Sequence, residues 1–326
     1  MRHSIKPQPL VISKIIYPAA DLLGIKLYMA RVDEIHPLAS GNKYYKLKPN
    51  LEYAKQQGIN RLLSFGGAFS NHIHALALYA GAEGFETFGI IRGESEYANN
   101  PTLQDAQRAG MKLEFVNRQQ YKQRHSAAYL EQLLLKYPNT MIIPEGGSSQ
   151  LAVKSCSQLM RDINQIKKCD VVTAACGTGA TFAGLVCGLD NDQSAIGFSA
   201  LLDQSLGNRV SQFILDEGNI NKNYKIQSTA FGGFAKLNRE VFDFVLNWLD
   251  KTNILLDPVY TSKMVFQLIK QIENNEFERG SSICIVHSGG LQGWRGMKRQ
   301  IIKFGGEKSW AIISDKLNSA MDCQYV

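Results

Sequence analysis

Several features that would place this chain quickly are missing from it. No apolar run approaches the roughly 18 residues of a membrane helix, so no membrane partner is expected. The opening stretch, MRHSIKPQPLVISK, lacks the apolar core of a secretory leader, and a cytoplasmic protein is expected. The 6 cysteines are scattered through 326 residues with no C-x-x-C pair, which argues against a disulfide framework or a thiolate zinc site. They read as small buried hydrophobes. The formal net charge is +7, yet the basic residues are scattered among 29 acidic ones. Without a basic stripe, no nucleic-acid partner is expected. There is no G-x-x-x-x-G-K-[ST] loop for a nucleoside triphosphate. His72 and His74 in NHIHA stand two apart, which turns them to different helix faces. No third ligand cluster accompanies them, so no metal is expected.

What is present is alternation. RLLSFGG (61–67), ETFGIIRG (86–93), KLEFV (112–116), TMIIPEGG (140–147), DVVTAAC (170–176), AIGFSALL (195–202) and SSICIVHSGG (281–290) read as strands. Between and after them lie helical patterns, including 119–137, QLAVKSCSQLMRDINQI, SKMVFQLIKQIEN and LQGWRGMKRQIIKF. Apolar strands alternating with helices predict an α/β fold with mostly parallel sheets, covered on both faces. Ligands of such folds sit at the carboxyl ends of strands, where the glycine loops are.

Two loops carry chemistry. In CGTGAT, Gly177, Thr178, Gly179, Ala180 and Thr181 join a buried strand to a helix. Glycines let backbone N–H groups turn toward an anion, and the helix adds its positive end, so phosphate is the economical ligand. A dinucleotide loop would need a third glycine where Phe182 stands, with an acid after the next strand, for which Asp203 is a loose candidate. In ASGNKYYKLK, Lys43 and Lys46 fall on the first turn of a helix, where the macrodipole disfavours cations. Such a placement makes sense if both ammonium groups meet an anion or a carbonyl.

SGNKYYKLK, SFGGAFSNH, PEGGS, CGTGATFAGL, LDPVYTSK and HSGG occur in that order. The ordered set resembles the D-cysteine desulfhydrase and 1-aminocyclopropane-1-carboxylate deaminase family from about Ser40 to Gly293. The resemblance implies a tryptophan-synthase-β-like fold of two three-layer αβα domains and the cofactor pyridoxal 5'-phosphate (PLP). It places the lysine that carries the cofactor at Lys43 and a phosphate-binding lysine at Lys46. Asn71 would bond the ring hydroxyl of PLP. Ser70 and the backbone N–H groups of Asn71 and His72 would receive the substrate carboxylate, and Ser70 could relay a proton. Tyr260 would lie near the ring and substrate, and Ser288 against the pyridine nitrogen. Ser70 is equally a helix cap, Tyr260 a core aromatic and Ser288 a turn residue when each is taken alone.

Aminocyclopropane deaminases resemble this chain but carry glutamate after the motif tyrosine. Here that position is Thr261. A hydroxyl donating to an unprotonated pyridine nitrogen leaves a weaker electron sink than a carboxylate partner does. That suits loss of a good Cβ leaving group such as thiolate, whose thiol has a pKa of about 8.5. The expectation is α,β-elimination on a small amino acid, most simply D-cysteine. Alternatives are a cyclopropane deaminase or D-serine-type ammonia-lyase with the same cofactor, and a non-catalytic binder of PLP or a phosphometabolite. Ser40, Tyr45, Lys48, Phe234 and Ser288 depart from the family pattern. By resemblance the large domain would comprise 1–47 and 161–326, the small one 48–160, and the chain would form a homodimer.

Overall fold

A computed structural model describes residues 6–200, 203–219, 222–229 and 236–321. Among the described residues, ten strands form two sheets. They are β1 (Ile12–Ile15), β2 (Lys26–Ala30), β3 (Arg61–Gly67), β4 (Glu86–Arg92), β5 (Lys112–Val116), β6 (Thr140–Ile143), β7 (Val171–Cys176), β8 (Ser194–Ser199), β9 (Tyr224–Ser228) and β10 (Ser282–Val286). The larger sheet runs β1-β2-β10-β7-β8-β9 and the smaller β5-β4-β3-β6. Every pairing is parallel except β1 with β2. Parallel pairing follows from the intervening helices, which return each chain segment to the same sheet end.

All seven strands expected from the sequence are present. β6 stops at Ile143, because Pro144 has no N–H to continue a ladder. The helix expected over 119–137 is broken into Arg118–Lys122, a 3-10 turn at Gln123–His125, and Ala127–Lys136. Likewise the LQGW segment begins as a 3-10 turn at Leu291–Met297 before the helical Lys298–Met321, itself interrupted at Gly306. β1, β2 and β9 were not anticipated. β1 and β9 are edge strands of four and five residues carrying lysine and glutamine, and short polar edges leave little periodicity to read. The strand end at 201–202 and Phe234 lie outside the described residues.

The apolar interior of the described residues falls into four clusters of buried side chains. Phe65, Phe182, Phe198, Phe242, Trp248 and Trp294 are among its largest fully buried side chains. Each such burial stabilises by ~2–3 kcal/mol before entropy is counted. Cys156, Cys169, Cys176 and Cys284 are buried free thiols and Cys187 is half-buried, as small hydrophobes would be. Cys323 lies outside the described residues. The carboxyl ends of β3, β6, β7 and β10 open toward one another, and the helix Asn42–Gln56 starts among them.

Candidate active site

Gly41 begins that helix in the left-handed region, with φ 71°. A Cβ there would stand 1.9 Å from the Ser288 carbonyl oxygen, so the helix start fits under the HSGG turn only with glycine. The Asn42 N–H donates to that same oxygen at 3.2 Å. The following residues therefore face the site. Asn42 donates from Nδ2 to Thr181 Oγ1 at 2.8 Å and accepts from Lys43 Nζ at 2.8 Å. Lys46 Nζ donates to Ser148 Oγ at 3.1 Å and to Thr178 Oγ1 at 3.3 Å. Ser148 also donates to Thr178. Both lysines, the glycine loop and the PEGGS turn are thus one constellation.

Its electrostatics are unusual. Lys46 is 2% exposed, and among the described residues no carboxylate makes an ion pair with it. Burial, reinforced by repulsion from Lys43, pushes its ammonium down to about 7. Burial likewise pushes Lys43 down to about 8, partly opposed by the Asp257 carboxylate. An amine near neutrality is both nucleophile and base. An anion placed here would restore the charge of Lys46 and receive hydroxyl and backbone donors.

On the opposite wall, Ser70 caps the short helix Asn71–Ala75 by accepting from the Ile73 N–H at 3.3 Å. The first N–H groups of such a helix, at Asn71 and His72, lack intrahelical partners. The His72 ring turns inward. Ser64 Oγ donates to the Ile143 carbonyl at 2.7 Å, so it accepts from His72 Nε2–H at 2.7 Å. His72 Nδ1 is then a buried lone pair with no hydrogen-bond partner among the described residues. Burial, then the two lysines, holds this ring well below the usual histidine range, hence neutral. His74 goes elsewhere, to Asp105 Oδ2 at 3.1 Å.

The third wall is LDPVYT. Asp257 is fully buried and its carboxylate accepts from the N–H groups of Val259 (3.0 Å), Tyr260 (2.8 Å) and Thr261 (2.6 Å). This Asx turn fixes the start of the helix Thr261–Glu273. The Tyr260 ring covers the glycine loop: a Cβ on Gly177 would meet it at 3.4 Å. Burial, then Asp257 and Glu145, pushes the Tyr260 phenol up, so it stays protonated. Thr261 Oγ1 is buried without a hydrogen-bond partner among the described residues.

Shared contacts thus bring Lys43, Lys46, Asn71, His72, the 177–181 loop, Tyr260 and the HSGG turn together, whereas His74, Asp203 and Lys48 pair elsewhere. Among the departures, Tyr45 packs edge-on against Tyr44, Lys48 pairs with Glu52 at 2.5 Å on the helix surface, and Ser40 donates to the Asp33 carbonyl at 3.2 Å. Sequence reasoning missed Asn42, Ser148, Asp257 and Gln292, which hold the named residues. Only Asp257 gave a signal, in its Asp-Pro turn.

No family model matches the chain. Its similarity to individual proteins is extensive. It is 26% identical over 287 residues to a putative 1-aminocyclopropane-1-carboxylate deaminase of Pyrococcus furiosus, covering 83% of this chain and 87% of that one. It is 26% identical to the bifunctional D-cysteine desulfhydrase/1-aminocyclopropane-1-carboxylate deaminase of Arabidopsis thaliana, covering 90% and 79%. With a D-cysteine desulfhydrase of Salmonella typhi the identity is 26%, covering 83% and 88%. The crystal structure of an ACC deaminase homologue superposes with a TM-score of 0.82 at 22% identity, covering 91% and 94%. A processed threonine deaminase isoform of Solanum lycopersicum superposes at 0.65 with 11% identity, covering 92% and 84%.

The architecture is thus the tryptophan-synthase-β-like fold of PLP enzymes. Within it, the chain is similar to the D-cysteine desulfhydrase and aminocyclopropane-carboxylate deaminase family along most of its length, as its ordered motifs implied.

Proposed function

We propose that this protein is a PLP-dependent lyase that eliminates a β-substituent from a small amino acid, with D-cysteine giving pyruvate, sulfide and ammonia. One observation carries the reading. Among the described residues, a buried ammonium, Lys46, has only hydroxyl partners beside a glycine loop, one helical turn from a second lysine of lowered basicity.

The residues present fit the cofactor. A phosphate suits Lys46, the hydroxyls of Thr178 and Thr181, and the turn from Gly177 through Gly179 to Ala180. Lys43 is the amine placed to carry an aldehyde. The buried hydroxyl of Thr261 suits an unprotonated ring nitrogen, as would the Ser288 hydroxyl, and Asn71 suits the ring hydroxyl. When bound, PLP acidifies the substrate Cα–H bond by drawing electrons into its ring.

The chain's own groups do the rest. The N–H groups at Asn71 and His72, with Ser70 Oγ, bind the substrate carboxylate. Lys43 Nζ takes the Cα proton, for which an amine near neutrality is suited. Tyr260 closes the other side and keeps its proton. Thiolate then leaves Cβ. The larger sheet draws on strands before residue 31 and after residue 170, the smaller on strands between 61 and 143. That supports 1–47 with 161–326 as the large domain and 48–160 as the small one. The reading includes a homodimer working in the cytoplasm.

The test is pyruvate release across a panel of D- and L-amino acids. D-cysteine should be fastest. Pyruvate from none of them, with PLP bound, would leave a non-catalytic binder. Thr261→Glu should raise activity on 1-aminocyclopropane-1-carboxylate relative to D-cysteine, and an unchanged ratio would count against the role given to Thr261.

A further inference from the structure

The segment after β10 crosses from the large sheet to the small one. Trp294 ties it to the large side, donating from Nε1 to the Leu256 carbonyl at 2.8 Å. Two neighbours reach across. Arg295 pairs with the buried Asp105 on the helix Pro101–Arg108. Gln292, 7% exposed, donates from Nε2 to Asn71 Oδ1 at 2.6 Å.

A primary amide has an acceptor end and a donor end. With Oδ1 held by Gln292, the nitrogen is the end of Asn71 left for another partner. That nitrogen lies over Gly290, where a Cβ would stand 2.4 Å from it and where φ is 98°. Residues 290–292 therefore control both ends of one amide, by a hydrogen bond on the oxygen and by empty space beside the nitrogen.

We propose that Gln292 is a positioning residue that fixes Asn71 as a hydrogen-bond donor toward the cofactor's ring oxygen. This rests on the PLP reading above. An ionised ring oxygen accepts strongly from N–H and not at all from a carbonyl, so the amide's orientation decides whether Asn71 attracts or repels it. The Arg295–Asp105 pair keeps the crossing segment at the height where Gln292 meets Asn71.

Gln292→Glu tests it, since the carboxylate is similar in shape but only accepts. It would draw Asn71 Nδ2 to itself and turn Oδ1 toward the ring. Binding of PLP to the unloaded protein should weaken by roughly tenfold or more, on the scale of one charge-assisted hydrogen bond, and the visible band of the loaded protein should shift. On an Asn71→Ala background the same substitution should change affinity less than about twofold. Should Gln292→Glu fail to fold, Gln292→Met carries the same cycle. Wild-type affinity and spectrum in the single variant, or losses that simply add, would overturn the positioning role while leaving the PLP reading intact. A wild-type protein that takes up no PLP would overturn both.

Discussion

Asp105 and Lys46 are equally buried, each 2% exposed, and are treated in opposite ways. Asp105 meets His74 at 3.1 Å, Arg108 at 3.1 Å and Arg295. Burial alone would raise its pKa, but hydrogen bonds from His74 and Arg295 and the guanidinium charge outweigh that and hold it at about 2. Burial keeps His74 below its ordinary value despite the carboxylate, so the positive charge at neutral pH comes from the arginines. Lys46 meets hydroxyls and is repelled by a second lysine. A buried charge without a counter-charge costs several kcal/mol. The folded chain bears that cost at the cleft and avoids it at the sheet-to-sheet contact. The carboxylate cluster is complete as structure; the ammonium is complete only with an anion from outside.

The contrast can be broken by substitution. The largest effect is expected from Lys43→Ala, which removes nucleophile and base together and should lower pyruvate release from D-cysteine by at least about a thousandfold. Steady-state assays at saturating PLP check it. Asp105→Ala strips the carboxylate from its arginines and should destabilise the protein by ~3 kcal/mol, read from urea midpoints. Lys46→Met should do the reverse to stability. The unloaded protein should melt a few degrees higher, because an uncompensated cation is gone. The same variant should bind PLP ~10–100-fold more weakly, for loss of charge-assisted hydrogen bonds. If Lys46→Met lowers the melting temperature of the unloaded protein, the two sites are alike and the comparison fails.

The pH dependence sharpens the same contrast. Lys46 titrates at about 7 when folded, against an unfolded value of 10.5. Between those values the unfolded chain holds more protons, so the stability of the unloaded protein should rise as pH rises from about 7 toward 10. Lys46→Met should flatten that slope. Asp105 gives a slope of the same sign at acid pH: its contribution is present above an unfolded value of 3.8 and is lost as pH falls through about 2.

Legibility in the sequence followed burial pattern and local turn chemistry. β3, β4, β7, β8 and β10 were readable because parallel strands inside a sheet are hydrophobic throughout, and the edges β5 and β6 because KLEFV and TMII still carry apolar strand formers. β1 and β9 were not, since edges keep polar residues. In the cleft, Lys43, Lys46, Asn71 and the 177–181 loop stood out because each sits in a motif. Asn42, Ser148 and Gln292 did not. Their parts depend on contacts such as Gln292 with Asn71, 221 residues apart, which no local pattern encodes.

The central claim is that a lysine on the first turn of the helix Asn42–Gln56 carries the cofactor. Borohydride reduction of the PLP-loaded protein, followed by peptide mapping, measures this directly. One pyridoxyl group on Lys43 is the predicted result. Its appearance on Lys46, on a surface lysine, or nowhere would contradict the account.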